Sequence, residues 1–130
     1  MLNRRRLHGC VYVPMTNKTG AQIIVVAGKH SLDTVETLDV SSREWKTIGK
    51  TPFPNGTLEY NALRSPAVIN ANSMDFILYS IGGWSSYQGY GAFKGIYGLT
   101  PSYEWRFVQN LTKGRAFHTS LIVRDVPGCS

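Results

Sequence analysis

Residues 22–45, QIIVVAGKHSLDTVETLDVSSREW, contain the pattern that decides the fold. A near-continuous apolar run over 22–27 ends at a glycine and predicts a strand that is covered on both faces. Residues 33–40 alternate between two faces, which predicts a second strand. A short polar turn follows, and Trp45 opens a third strand. The stretch therefore predicts three successive strands joined by short connections, with no helical periodicity.

A second copy of this pattern lies further along the chain. Residues 75–81, DFILYSI, predict a strand that again ends at glycine, here the pair Gly82-Gly83, and a later strand again opens near a tryptophan. Gly28 and Gly83 are 55 positions apart, and Trp45 and Trp105 are 60 positions apart. A period near 50 residues indicates repeated units, each of which must bury its faces against a neighbour.

The same period relates segments outside the two copies. Arg5-Arg6-Leu7-His8 is similar to Arg115-Ala116-Phe117-His118, which lies 110 positions on, or two steps of 55. The remaining predicted strands, which turn residues separate, cover residues 7–13, 64–70, 96–99, 104–108 and 115–123. We therefore expect two four-stranded antiparallel sheets and one further strand.

The pattern resembles the kelch repeat, in which each repeat forms one blade of a β-propeller. The residues at the repeat positions are Gly28, Gly82, Gly83, Trp45 and Trp105. Ala27 and Leu38 depart from the family, where a glycine and a tyrosine are usual. The resemblance implies an all-β fold, a partial kelch-type β-propeller with two four-stranded antiparallel blades plus one extra strand.

The resemblance also implies a division of the chain. Within a single domain over 1–130, the first blade covers 5–49, the second covers 62–108, and 115–123 begins a third. Two blades are fewer than the four of the smallest propellers. We therefore expect either a fragment of a larger propeller or a chain that associates with other chains to cover its open sheet edges.

The repeat residues have structural roles in this interpretation. The glycines adopt backbone conformations that a Cβ disfavours, and the tryptophans bury area between adjacent blades. His8 and His118 are placed on the innermost strands, where a buried histidine usually satisfies a hydrogen bond.

A loop rich in aromatics and glycine, residues 84–95, is the candidate binding site. Its aromatic side chains supply contact area at low entropy cost, and its glycines and serines supply adaptable backbone. The candidate partner-binding residues are Trp84, Tyr87, Tyr90, Phe93 and Lys94, with Arg64 at the same end of the second blade. The alternative is that the aromatic rings fold back onto the blade surface.

Charge and cysteine content limit other functions. The chain has 14 Lys+Arg against 8 Asp+Glu and a net charge of +6, and part of the excess is the cluster Arg4-Arg5-Arg6. The sequence lacks the stripe of basic residues interleaved with aromatics that would predict nucleic-acid binding. Cys10 and Cys129 are too few for a disulfide framework and lack the spacing of metal ligands. We expect no metal and no cofactor.

The signals for cellular compartment conflict. No run approaches the ~18 apolar residues of a membrane-spanning helix, and the first residues lack the apolar segment of a secretory signal. Both observations favour the cytoplasm. Three glycosylation sequons, at Asn17, Asn55 and Asn110, keep an extracellular location open.

The expected function is a non-catalytic kelch-type propeller module for protein–protein interaction. One alternative is a part of a secreted or cell-surface glycosylated kelch protein, which the sequons suggest. Another is a copper enzyme similar to galactose oxidase, whose site needs two His, two Tyr and a Cys–Tyr crosslink. Here His8, His30, His118 and Cys10 show no spacing that converges on a metal site. No catalytic residue is therefore assigned.

Overall fold

The computed structural model describes residues 1–15, 20–28, 34–51, 66–71, 73–85 and 91–120. These residues form no helix, so they include none that is long and apolar enough to cross a membrane. Their strands are β1 (Gly9–Val13), β2 (Gln22–Val26), β3 (Thr34–Asp39), β4 (Trp45–Lys50), β5 (Ala67–Asn70), β6 (Leu78–Ile81), β7 (Trp84–Ser85), β8 (Gly91–Ala92), β9 (Gly95–Leu99) and β10 (Trp105–Asn110).

The strands form two four-stranded antiparallel sheets and one short ladder. The first sheet has the order β1-β2-β3-β4, and the second has the order β5-β6-β9-β10. Each sheet is a meander, because strands that follow one another in the chain pair with one another. The short β7–β8 ladder is inserted between β6 and β9. The all-β fold and the two four-stranded sheets predicted from the sequence are thus confirmed.

The segment predicted as an additional strand, 115–123, is only partly described. Residues 115–120 form no strand, and 121–123 lie outside the described residues. The Arg115 amide donates to the carbonyl oxygen of Phe93 at 3.2 Å, and its carbonyl accepts from the Gly83 amide at 2.7 Å. These bonds hold Arg115 at the end of the second sheet instead of in a ladder of its own.

The backbone repeats its conformation at the step found in the sequence. Left-handed conformations, which residues with a Cβ rarely adopt, occur at equivalent positions of the repeat. The pairs are Leu7 and Phe117 (φ 57° and 54°), Ala27 and Gly82 (62° and 60°), Gly28 and Gly83 (105° and 115°), and Arg43 and Tyr103 (60° and 63°). The internal repeat is therefore a property of the backbone as well as of the sequence.

Gly82 and Ala27 occupy equivalent positions but should respond differently to exchange. A Cβ on Gly82 would lie 2.5 Å from the carbonyl oxygen of Arg115, so we expect Gly82→Ala to lower the free energy of unfolding by about 1–3 kcal/mol. Ala27→Gly relieves a strained φ but removes a buried methyl group worth about 0.8 kcal/mol. We expect these effects to offset one another. Urea unfolding measures the stability of both variants. Equal losses of stability would contradict the predicted clash between a Cβ on Gly82 and the Arg115 carbonyl oxygen.

The two sheets pack face to face, and the core lies between them. The first sheet and its end contribute Val13, Ile24, Val26, Ala27 and Val35, and the second contributes Leu78 and Leu99. At the edge formed by β1 and β5, Gly9 lies so close to Val68 that a Cβ does not fit. At the opposite edge, formed by β4 and β10, the indole N–H of Trp105 donates to the carbonyl oxygen of Lys50 at 2.8 Å. The two sheets are therefore in contact at both edges.

Candidate interaction surface

Both sheets expose basic side chains at one end. β2 and β6 end there, and β1, β3 and β9 begin there, because antiparallel neighbours run in opposite directions. Gly9 at the start of β1 lies against Pro66 and Val68 at the start of β5, so the two sheets share this end. We name it the basic end, after its exposed cations Arg4, Arg6, Lys94, Lys113 and Arg115.

The acidic side chains of the described residues lie elsewhere. Asp39 and Glu44 flank the turn between β3 and β4, and Asp75 and Glu104 lie in turns at the far end of the second sheet. The remaining described carboxylate, Glu36, is fully buried and paired with an arginine. Within the described ranges, the basic end therefore carries no exposed carboxylate.

A buried ion pair anchors the N-terminal segment at the basic end. The Arg5 guanidinium lies 2.7 Å from a carboxylate oxygen of Glu36, and both side chains have 0% exposed surface. Arg5 also donates to the carbonyl oxygens of Ala27 and Thr34 at 3.0 and 2.9 Å. It therefore ties the end of β2 to the start of β3.

Glu36 receives hydrogen bonds from the segment that it anchors. The amides of Leu2 and Asn3 each donate to it at 3.0 Å, and the Asn3 side chain donates at 2.6 Å. Burial raises the pKa of Glu36, but the Asn3 hydrogen bond, the Arg5 charge and the Leu2 amide together hold that pKa below its ordinary value. Glu36 is thus ionised at neutral pH and fixes residues 2–5 in place.

Residues 111–118 have the corresponding role at the second sheet. The Leu111 amide donates to the carbonyl oxygen of Lys94 at 2.7 Å, which continues the β9–β10 pairing by one residue. Arg115 is then held by the two backbone hydrogen bonds described above. The segment therefore crosses the end of the sheet and presents Lys113 and Arg115 to solvent.

The histidines of the two Arg-x-x-His segments differ in environment. His8 is exposed just before β1, whereas His118 is half-buried beside Gly82 and lies in no strand. Both ring nitrogens of His118 are buried without a hydrogen-bond partner in the described part of the chain, so the expected satisfied histidine is not observed. Burial, together with the charge of Arg115, lowers the pKa of His118, and burial with the charge of Arg5 lowers the pKa of His8. Both rings are therefore neutral at pH 7 and add no charge to the basic end.

The loop predicted as a binding site has a paired base at the basic end. Trp84–Ser85 (β7) pairs with Gly91–Ala92 (β8), which makes the loop a hairpin. Trp84 is half-buried and Lys94 is exposed. Three other candidate residues lie outside the described residues: Tyr87, Tyr90 and Arg64.

Phe93 folds back onto the second sheet, as in the alternative that the sequence left open. Its ring packs against the core and stacks on Tyr97 with centroids 6.1 Å apart and planes 11° apart. Tyr97 in turn meets the edge of Phe107 at 5.5 Å. Among the described candidate residues, the exposed Lys94 is therefore better placed than Phe93 to contact a partner.

The structure describes part of the other candidate sites. Asn110 of the third sequon is exposed at the end of β10, and Cys10 is exposed with a free thiol. The residues outside the described ranges are Asn17, Asn55, His30 and Cys129. Within the described ranges, no group of three His, Cys, Asp or Glu side chains is arranged to hold a metal ion.

The basic end was missed in the sequence because its cations are scattered from Arg4 to Arg115. Only the strand order brings them to one surface. One signal was available in the sequence. Both Arg-x-x-His segments contain or adjoin basic residues, and because these segments repeat at the period of the sheets, they indicate equivalent places in the fold.

No protein-family model matches the chain, and no curated protein matches it. What the basic end can bind follows from its charge and its backbone geometry.

Proposed function

We propose that this chain is a non-catalytic kelch-type propeller module that binds a protein partner with acidic side chains. The observation that carries the proposal is the cluster of exposed cations at the basic end with no exposed carboxylate among the described residues there, whereas at the far end Arg43 and Arg106 lie beside carboxylates. Charge of one sign concentrated on one surface steers encounter with a partner of opposite sign. The paired left-handed positions of the two sheets support a repeat of the kelch type.

The cations of the basic end are carried by anchored segments. Arg4 and Arg6 flank Arg5, whose buried pairing with Glu36 fixes the chain on both sides. Arg115 is fixed by its backbone hydrogen bonds to the second sheet. Anchoring before binding reduces the conformational entropy that a partner must overcome. The hairpin adds Trp84, an aromatic side chain of the kind enriched where binding energy concentrates.

Two matched charge-reversal variants test the proposal. Lys94→Glu with Arg115→Glu alters the basic end, and Arg43→Glu with Arg106→Glu makes the same change in net charge elsewhere. The probe is a labelled synthetic peptide of alternating glutamate and alanine, followed by fluorescence anisotropy. We expect the first variant to bind about tenfold more weakly, because each exposed ion pair contributes roughly 0.2–1 kcal/mol. The second variant should stay close to the wild type.

Three results would overturn the proposal. Absence of peptide binding at low salt would remove its basis. Equal weakening by both variants would show an effect of net charge without a defined surface. Tighter binding of single-stranded DNA than of the acidic peptide would assign the basic end to nucleic acid. Thermal melts of both variants show whether each still folds.

We place the protein in the cytoplasm on the strength of Cys10. Its thiol is exposed and unpaired, and thiols of this kind persist mainly in reducing compartments. The alternative, a secreted or cell-surface glycoprotein, is supported by the exposure of Asn110 in its sequon.

A further inference from the structure

Cross-strand pairs show which residues of the two sheets correspond. On one face the equivalent residues, first sheet and then second, are Ile23 and Leu78, Leu38 and Leu99, and Trp45 and Trp105. On the opposite face they are Ile24 and Tyr79, and Val26 and Ile81. The repeat therefore defines the same two faces on each sheet.

Burial shows that the sheets pack through faces that do not correspond. Ile24 and Val26 of the first sheet are 0% exposed, and they form one core with Leu78 and Leu99 of the second, which are 0% and 1% exposed. A two-fold sandwich would pack equivalent faces on each other. Here one face of a sheet packs on the other face of the next, which is a head-to-tail contact that further copies can repeat.

Each sheet consequently has one apolar face that no other sheet covers within the described ranges. The exposed or half-buried part of the front face of the first sheet consists of Cys10, Tyr12, Ile23, Leu38 and Trp45. Val25 and Glu36 lie on the same face but are buried, and Glu36 is paired there with Arg5 of the N-terminal segment. The back face of the second sheet consists of Ile69, Phe76, Tyr79, Ile81 and Ile96. Apart from Val25 and Glu36, these side chains are half-buried or exposed. Their equivalents at the internal contact include Ile24, Val26, Leu78 and Leu99 of the core.

We propose that the back face of one copy of this chain binds the front face of a second copy. The complex repeats the contact that already joins the two sheets within one chain, so the surface that fits the back face is present on the same molecule. Such a contact is heterologous, and each added copy again offers one free front face and one free back face. The proposal concerns the faces of the sheets and does not depend on the proposed function, although the contact displaces the segment that carries Arg115 of the basic end.

The contact between Gly9 and Val68 in the internal interface supports the fit. Inside the chain, Gly9 meets Val68, and a Cβ on Gly9 would overlap the valine side chain. In the proposed complex the equivalent positions hold Ala67 of one copy and Cys10 of the other. Alanine adds a methyl group on one side, and cysteine is smaller than valine on the other. The total volume at the contact is therefore nearly conserved.

One segment must move for the faces to meet. Residues 115–118 lie at Gly82, where the repeat places residues 5–8 of the incoming copy. Because the two segments share the Arg-x-x-His pattern, they compete for the same place. The displacement costs free energy, so we expect a complex that dissociates on dilution instead of a permanent oligomer.

Sedimentation over a dilution series tests the proposal with one variant on each face. The wild-type mass should rise with concentration from the 14.5 kDa of one chain to twice that value or more. Tyr12→Arg on the front face and Tyr79→Arg on the back face should each remain monomeric. An equimolar mixture of the two should form dimers and nothing larger, because each variant keeps one intact face. Met74→Arg, at a side chain that is 93% exposed and lies in a bend outside the strands, should associate like the wild type.

A second readout follows the front face directly. In a Cys129→Ser background, the reaction of the Cys10 thiol with a maleimide should slow as protein concentration rises, because the complex covers that thiol. A wild type that is monomeric throughout the series would overturn the proposal. So would a mixture of the two variants that stays monomeric while both melt like the wild type, or a Cys10 reaction rate that is independent of concentration.

Discussion

Replacing Arg5 with alanine is expected to lower the free energy of unfolding by about 3–5 kcal/mol. The substitution leaves the Glu36 carboxylate with 0% exposed surface and without the charge that balances it. It also removes the hydrogen bonds through which Arg5 joins Ala27 to Thr34. Urea unfolding followed by tryptophan fluorescence measures the loss.

A double variant separates loss of the ion pair from loss of charge balance. Arg5→Met with Glu36→Leu removes both charges and keeps similar volumes, so we expect it to recover most of the stability that Arg5→Met alone loses. If Arg5→Met alone is as stable as the double variant, Glu36 does not depend on Arg5 and the buried pair is contradicted.

The Arg5–Glu36 ion pair should also make the free energy of unfolding depend on pH. The native pKa of Glu36 lies below its ordinary value, so the unfolded chain binds the proton more readily than the folded chain does. The stabilisation is therefore complete above that ordinary value and is lost as the pH falls through the native pKa. The Arg5→Met, Glu36→Leu variant should lack this part of the acid dependence.

The strands and their order were predictable because their signal is local. The apolar run over 22–27, the alternation over 33–40 and the glycines at 28, 82 and 83 each report on a few neighbouring residues. A strand period of two and a turn that needs left-handed backbone are fixed at that scale. The repeat then supplied the second sheet, since a unit of this kind must pack on a neighbour.

The buried pair was not predicted because its members are 31 positions apart, at Arg5 and Glu36. The signal was present in β3, where Glu36 shares a face with Leu38. A carboxylate on such a face needs a partner if it is buried. The sequence shows neither that the face is buried at that point nor which of Arg4, Arg5 and Arg6 turns inward.

The strand predicted over residues 115–123 is described only in part, since residues 115–120 form no strand and residues 121–123 lie outside the described residues. The alternation of that segment is compatible with a strand, but a ladder also needs a neighbouring strand with free backbone groups. At Arg115 those groups bond to Phe93 and Gly83 instead. The same limit applies to the loop after Gly83, where the aromatic pattern left open whether the rings face a partner or fold back, and the structure shows that Phe93 packs against the core and Tyr97.

Leu99→Ala is expected to lower the free energy of unfolding by about 2–5 kcal/mol. Leu99 is 1% exposed and lies in the core between the two sheets, so alanine leaves a cavity that both sheets must collapse to fill. Urea unfolding at low protein concentration measures the loss. The matched control is Leu38→Ala, because Leu38 lies between Ile23 and Trp45 as Leu99 lies between Leu78 and Trp105, but is half-buried.

Leu38→Ala should cost about 1 kcal/mol, since it removes partly exposed apolar area and leaves no enclosed cavity. The expected costs differ because the first sheet covers Leu99, whereas among the described strands no second sheet covers Leu38. The positions of the two leucines within their own sheets are equivalent. An equal loss at low concentration would show that Leu38 is covered in the monomer, which contradicts an open front face. A Leu38→Ala cost that grows with protein concentration, while that of Leu99→Ala stays constant, is the result expected if a second copy supplies the missing cover.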